Sequence, residues 1–304
     1  MHDIIIIGGG PAGLTAAVYA RRAGKSVLVI EKATFGGQIT YSPKVENIPG
    51  FVSLTGNEFA EALVEQALSQ GADIEVAEVT EVRRDEGEGL LVVTDSGEFR
   101  ARAVVVATGA RHRRLGLDGE DALIGEGISF CAVCDGAFYA DRVVGVVGGG
   151  NSALQEALLL SERSSKVYVI QNLDELTGEV ALREQLYAKD NVEILTGTVV
   201  SAVHGQGTLQ GVTLRRVADG QESELALDGL FVAIGLVPQN ESVASVVTLD
   251  ERGYVKAGED CLTDVPGIFC AGDCRQKRIR QVATAAADGA VAALAACDFV
   301  DQLK

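Results

Sequence analysis

Ile4-Ile5-Ile6-Ile7-Gly8-Gly9-Gly10-Pro11-Ala12-Gly13 is the stretch on which the fold turns. Four isoleucines in a row, closed by glycine, predict a short strand buried on both faces. A helical stretch runs from Leu14 to Arg22, then comes Gly24, then the apolar strand Ser26-Val27-Leu28-Val29-Ile30, ending at Glu31. Strand, Gly-x-Gly-x-x-Gly turn, helix, strand and acidic residue in that order make a dinucleotide-binding βαβ unit. Gly8 permits the tight turn, Gly10 lets backbone approach a pyrophosphate, and Gly13 lets the helix lie close on the strand. Pro11 and Ala12 complete the turn, and the helix N-terminus turns its positive end to the phosphates. Glu31 follows Gly13 by about 20 residues, the spacing at which a carboxylate bonds a ribose hydroxyl. This unit does not separate FAD from NAD.

The unit occurs twice. Val143-Val144-Gly145-Val146-Val147 is a second buried strand, Gly148-Gly149-Gly150-Asn151-Ser152-Ala153 a second loop, and Lys166 to Ile170 the strand after its helix. Gln171 stands where the first unit has Glu31, followed by Asn172, Leu173, Asp174, Glu175, Leu176 and Thr177. A 2′-phosphate needs charge-assisted bonds, normally from arginine. None stands here, and two carboxylates repel it, so NADPH is a poor ligand on electrostatic grounds. Gln171 can bond a neutral 2′-hydroxyl, so NADH is allowed. An empty relic or another ligand stays open.

Between the two loops lies Cys131-Ala132-Val133-Cys134-Asp135-Gly136. A two-residue spacer lets both thiols face each other at a helix start and close a reducible ring, and the helix N-terminus favours a thiolate. Asp135 is placed to supply or accept a proton. Two nucleotide folds with a dithiol between them suggest electrons passing through a cofactor to or from a disulfide. One Cys-x-x-Cys is too few for structural zinc, which needs four ligands, so no metal is expected. Cys261, Cys270, Cys274 and Cys297 show no such pairing, and Cys270 reads as inert core.

The 304 residues predict two domains. Hydrophobic content is 47% with 5% aromatics and no Trp, which suits packed α/β layers. With 43 acidic against 26 basic residues the net charge is −17, which excludes non-specific nucleic-acid binding and favours basic partner surfaces. No uninterrupted apolar run reaches the ~18–20 residues of a membrane span. Met1-His2-Asp3 and the isoleucines do not read as a signal peptide. A cytoplasmic location is expected, and there a close cysteine pair is catalytic or metal-binding rather than structural. His2, His112 and His204 are given no role. Arg111-His112-Arg113-Arg114 reads as a solvated hinge, with an acidic partner such as ferredoxin as the functional alternative.

Further segments carry a family resemblance. They are Gly36-Gly37-Gln38-Ile39, Val45-Glu46-Asn47-Ile48-Pro49-Gly50, Ala107-Thr108-Gly109-Ala110, Leu230 to Gly235, Gly267 to Asp273, and Arg280-Gln281-Val282-Ala283. With Cys131 to Gly136, they make the chain resemble the low-molecular-weight thioredoxin reductases along essentially its whole length. The resemblance implies an α/β fold of two Rossmann-like nucleotide-binding domains, of three-layer ββα type, the second inserted in the first. It implies a flavin domain of 1–114 plus 246–304 and an inserted dithiol domain of 115–245. It implies FAD in the first site, near Gly37, Gln38, Asn47, Thr108, Gly109 and Gly272. Asp273 would lie near the ribityl chain, and Arg280, Gln281 and Val282 against the isoalloxazine. It also implies a homodimer with domain rotation. Cys134 would face the flavin, Cys131 would attack the disulfide of thioredoxin or a thioredoxin-like protein, and Asp135 would carry the proton.

The chain departs from that family at one place. The usual His-Arg-Arg-x-x-x-Arg pattern is replaced at Gln171, Asn172, Leu173 and Thr177. It is similar to atypical members that lack the pattern, some taking electrons from ferredoxin and others carrying a second flavin. The expected donor is ferredoxin or NADH, and the expected second ligand is NADH, a second flavin or none. A non-catalytic flavin–dithiol redox sensor is one alternative. A ferredoxin–pyridine-nucleotide reductase of the same fold is another, and the dithiol argues against it.

Overall fold

The structure, a computed structural model, describes residues 1–42, 44–85 and 89–303. In chain order it begins with β1 (His2–Ile7), α1 (Pro11–Arg22), β2 (Val27–Glu31), α2 (Gly56–Ser69) and β3 (Asp73–Val76). β4 (Val79–Arg84), β5 (Leu90–Thr94), β6 (Glu98–Val106) and β7 (Ala110–His112) follow. Next come α3 (Glu120–Leu123), β8 (Ile128–Ser129), α4 (Ala132–Asp135), β9 (Val143–Val147), α5 (Asn151–Ser161), β10 (Lys166–Ile170) and α6 (Val180–Tyr187). β11 (Val192–Leu195), β12 (Thr198–Gly205), β13 (Leu209–Arg216), β14 (Glu222–Ala226), β15 (Gly229–Val232) and β16 (Leu236–Pro238) lead to β17 (Ile268–Cys270) and α7 (Val282–Gln302). Two compact units result, residues 1–111 with 237–304, and residues 112–236.

In the first unit the strands run in the order β3-β2-β1-β6-β5-β4, with β17 also paired to β6. β1 pairs parallel with both neighbours, Ile4 opposite Val27 and Ala103. Successive side chains alternate faces. Ile4 and Ile6 therefore enter the core made with Leu14 of α1 and Ala292 of α7. Ile5 and Ile7 enter the opposite core, with Val82, Leu90 and Val92. Each isoleucine is at most 4% exposed, so each contributes about 1.5–3 kcal/mol of burial. Val243 and Val247 also lie in that second core, which is why the chain rejoins this unit directly after Leu236.

Helix α7 is long and apolar enough to cross a membrane by length and composition. Asp288 and Asp298 interrupt its apolar run, so it is not an uninterrupted apolar stretch of that length. Its Ala292, Ala293, Ala296, Cys297 and Val300 are buried in the core shared with α1. Gly289 makes this possible, since a Cβ there would lie 2.2 Å from the Ala12 carbonyl oxygen. Helix α2 starts on a capping box, Thr55 Oγ1 accepting from the Glu58 N–H at 3.1 Å and Glu58 Oε2 from the Thr55 N–H at 2.7 Å.

The second unit repeats the plan with a parallel sheet β11-β10-β9-β15-β8. Val144 and Val146 face Leu154 and Leu160 of α5. The other face, with Val147 and Leu230, packs on Val200, Val212 and Leu214 of the antiparallel sheet β12-β13-β14. Helix, parallel sheet and antiparallel sheet are its three layers.

Candidate active site

The first glycine loop is held by close backbone contacts. Gly8 has φ +109°, and a Cβ there would lie 2.3 Å from the Ala107 oxygen; a Cβ on Gly13 would lie 1.9 Å from the Gly8 oxygen. Helix α1 begins at Pro11 after Gly10 with no side-chain cap, which leaves first-turn N–H groups for an anion. Glu31 accepts from the Gly9 N–H at 2.8 Å and from the Ala33 N–H at 3.0 Å. Each of its oxygens keeps a further lone pair.

Other segments gather on this loop. The Gly36 N–H donates to the Gly9 oxygen at 2.7 Å, which brings Gly37 beside Gly10. Gln38 is exposed on the turn that follows. A Cβ on Gly272 would lie 2.8 Å from that of Ala12. Arg280 Nε donates to the Asp273 carbonyl at 3.3 Å, and its guanidinium lies 4.2 Å from the Tyr254 ring centre. Asn47 Nδ2 donates to Gln281 Oε1 at 3.3 Å. Val282 packs against Val45, Ile48 and Phe59. Thr108 donates to Asn240 Oδ1 at 2.9 Å, and Gly109 takes φ +71°. The Asp273 carboxyl is buried, and its Oδ1 has no hydrogen-bond partner. Burial raises its pKa, while Lys277 and Arg280 pull it back.

Sequence reasoning missed the groups that brace these segments. Buried Asn240 donates to the carbonyls of Gly253 and Cys274 at 2.9 Å each. Buried Asp288 accepts from the Gly272 N–H at 3.0 Å, from Arg275 twice at 2.9 Å, and from Lys277 at 2.8 Å. One acid inside the alanine-rich start of α7 was the available signal for it. Cys270 and Cys274, which show no pairing in sequence, are buried free thiols whose sulfurs lie 3.5 Å apart. The turn from β17 into residues 272–274 folds one over the other.

In the second unit Cys131 and Cys134 form a disulfide, Cα atoms 5.3 Å apart. The Cys134 N–H donates to Cys131 Sγ at 3.1 Å. Ser129, also missed, accepts from the Cys131 N–H at 3.2 Å and donates to Asp135 Oδ2 at 2.6 Å. Burial raises the Asp135 pKa against that bond, and its Oδ1 is buried without a partner. Val133, between the sulfurs, is exposed.

The second glycine loop keeps its shape. Gly148 has φ +130°, and its Cβ would lie 2.6 Å from the Ala233 oxygen and 3.1 Å from the Ala153 Cβ. The chain's own segment covers part of it: the Thr177 and Gly178 N–H groups donate to the Gly149 oxygen at 2.8 and 2.9 Å. Asn151 and Glu179 bond reciprocally at 2.7–2.8 Å. Ser152 is exposed. Gln171, expected to reach a ribose, is buried against Gly149, with Nε2 donating to the Glu175 oxygen at 3.3 Å. An uncharged amide fits under the loop where a carboxylate would have to be desolvated. His112, expected on a solvated knot, instead stacks on Phe130 at 4.8 Å, and burial with Arg114 nearby lowers its pKa to about 4.

The family described as pyridine nucleotide-disulphide oxidoreductase matches residues 2–289. A thioredoxin reductase of Listeria innocua is 40% identical over 100% of this chain and 95% of its own. One of Bacillus subtilis is 40% identical over 100% of this chain and 96% of its own. The crystal structure of thioredoxin reductase from Streptococcus pyogenes superposes with a TM-score of 0.95 at 36% identity, covering 99% of each chain. The chain belongs to the pyridine nucleotide-disulphide oxidoreductase family, and within it to the thioredoxin reductases.

Proposed function

We propose that the chain passes electrons through FAD and the Cys131–Cys134 disulfide to thioredoxin or a thioredoxin-like protein. The donor is ferredoxin or NADH rather than NADPH. The observation that carries the reading is the disulfide tied through Ser129 to the buried Asp135 carboxyl.

The residues present fit FAD. The glycine loop leaves room for a pyrophosphate at an uncapped helix N-terminus, and Asp273 Oδ1 is a buried acceptor awaiting a hydroxyl. Gly8, Gly10, Pro11, Ala12 and Gly13 would hold the phosphates and Glu31 a ribose. Gly37, Gln38, Asn47, Thr108, Gly109, Gly272, Arg280, Gln281 and Val282 would surround the rest. When bound, FAD supplies a two-electron carrier able to accept electrons singly or in pairs.

Cys134 is assigned to the flavin side and Cys131 to the partner. As a thiolate, Cys131 attacks the partner's disulfide, a mixed disulfide forms, and Cys134 resolves it. Burial raises the Asp135 pKa, and Asp135 is assigned the transfer of a proton to the departing sulfur and its return on re-oxidation.

The donor follows from residues 171–179. They offer no cation to a 2′-phosphate, present Asp174 and Glu175, and bond across the Gly149 carbonyl. The cytoplasm and a homodimer are part of the same proposal. An absorbance scan tests for flavin, and titration with NADH, NADPH and reduced ferredoxin, followed by thioredoxin turnover, names the donor. Bleaching by NADPH at least as readily as by the others would defeat the donor assignment. No thioredoxin turnover with any donor would defeat the function.

A further inference from the structure

Two side-chain oxygens near the disulfide are buried without a hydrogen-bond partner, Asp135 Oδ1 and Glu156 Oε2. Glu156 lies midway along α5, the helix that starts at the second glycine loop. Helix α5 packs on the cysteine turn, where a Cβ on Gly136 would meet Leu160 at 3.2 Å. The Ala132 N–H, between the two cysteines, is the backbone group that favours the ionised form of the Glu156 carboxyl. Leu160, one turn beyond Glu156 on α5, seats against the cysteine turn, so Glu156 faces it, and the Asp135 carboxyl acts on Glu156 through its charge.

We propose that Glu156 is a positioning residue for disulfide exchange, forming with Asp135 a carboxyl pair that keeps one proton at the base of the Cys131–Cys134 turn. The inference rests on the reading of that disulfide as the redox centre.

Two carboxylates brought together out of water do not both ionise. Burial first, and then Asp135, push Glu156 up to about 7, against the pull of the Ala132 N–H. Other titratable groups stand on the elements around α5. They are Tyr139 after α4, raised to about 12, Arg183 and Glu184 on α6, and Lys166 and Tyr168 on β10. Lys166 is paired with Glu193, and Arg183 Nη1 bonds the Leu176 carbonyl. When two electrons from the flavin side break the S–S bond, two protons make two thiols. One comes from the carboxyl pair through Asp135 and one from solvent, and the pair then recovers its proton from solvent. Oxidation reverses each transfer.

The test uses the full-length, flavin-loaded protein, reduced, freed of reductant without air, and alkylated with iodoacetamide from pH 5 to 9. Mass spectrometry reads Cys131 and Cys134 separately. Wild type should show two inflections, one near pH 7 from the carboxyl pair and one from the thiol. Glu156→Gln keeps an acceptor oxygen but carries no charge. It should lose the lower inflection and react about fivefold faster at pH 8, because the neighbouring negative charge is gone. Asp135→Asn should move the lower inflection to lower pH. A Glu156→Gln profile that superimposes on wild type would overturn the proposal. Should that variant not fold, infrared titration of wild type decides: a carboxyl titrating near pH 7 supports it, and none above pH 5 overturns it. No donor or thioredoxin enters these measurements, so failure of the proposed function shows separately, as absent turnover.

Discussion

The Arg275 guanidinium meets the Asp288 carboxylate along two hydrogen bonds of 2.9 Å, both side chains at most 9% exposed. The pair joins the loop of Asp273 to α7. Removing one partner of a buried ion pair costs about 3–5 kcal/mol, because the other charge is left unpaired. Asp288→Asn should therefore lower stability by about 3 kcal/mol and loosen flavin retention, read by thermal melts and by absorbance after dialysis. Burial opposes ionisation of Asp288, yet the bonds from Arg275 and Lys277 outweigh it and hold its pKa below the usual range. The stability from its charge is thus present above the ordinary carboxylate pKa and lost as pH falls through the depressed one. Acid melts of wild type should show that loss, and the variant should show less of it.

Gly289 is the contact point of α1 and α7. A Cβ there would be 2.2 Å from the Ala12 oxygen and 3.1 Å from the Ala16 nitrogen. Backbone does not yield as a side-chain end does, so Gly289→Ala should destabilise by about 3 kcal/mol despite alanine's better helix propensity. Urea unfolding measures it, and a midpoint equal to wild type would contradict the packing described here.

Cys131→Ser removes the sulfur assigned to attack the partner. Thioredoxin reduction should vanish while the flavin remains reducible by its donor, visible as bleaching in a stopped-flow trace. Retained turnover in this variant would count against the assignment.

Residues 171–178 invite a gain-of-function experiment. Asn172→Arg, Leu173→Arg and Thr177→Arg together restore cations where the family's pattern has them. A charge-assisted bond is worth about 1.5–3 kcal/mol, so preference for NADPH over NADH should rise about tenfold or more. Equilibrium titration of both nucleotides reads the ratio. An unchanged ratio would mean that the segment bonded to Gly149, not the missing charge, bars the nucleotide.

Much of this molecule is written locally. Isoleucines 4–7 closed by Gly8, and the valines of 143–147 closed by Gly148, announce buried strands and tight turns because side-chain alternation and glycine's positive φ are properties of adjacent residues. The cysteine spacing announces the disulfide for the same reason, and the missing arginines after Ile170 are visible on inspection.

The partners of the buried polar groups are not local. Asn240 joins Thr108 to Gly253 and Cys274, Asp288 gathers Arg275 and Lys277, and Glu156 Oε2 is buried without a hydrogen-bond partner. Gln171 looked free for a ligand until the second glycine loop buried it. Whether an acid or amide ends up solvated, paired or orphaned depends on which surfaces folding lays over it. That is a matter of desolvation and long-range contact, for which the chain carries no periodic sign.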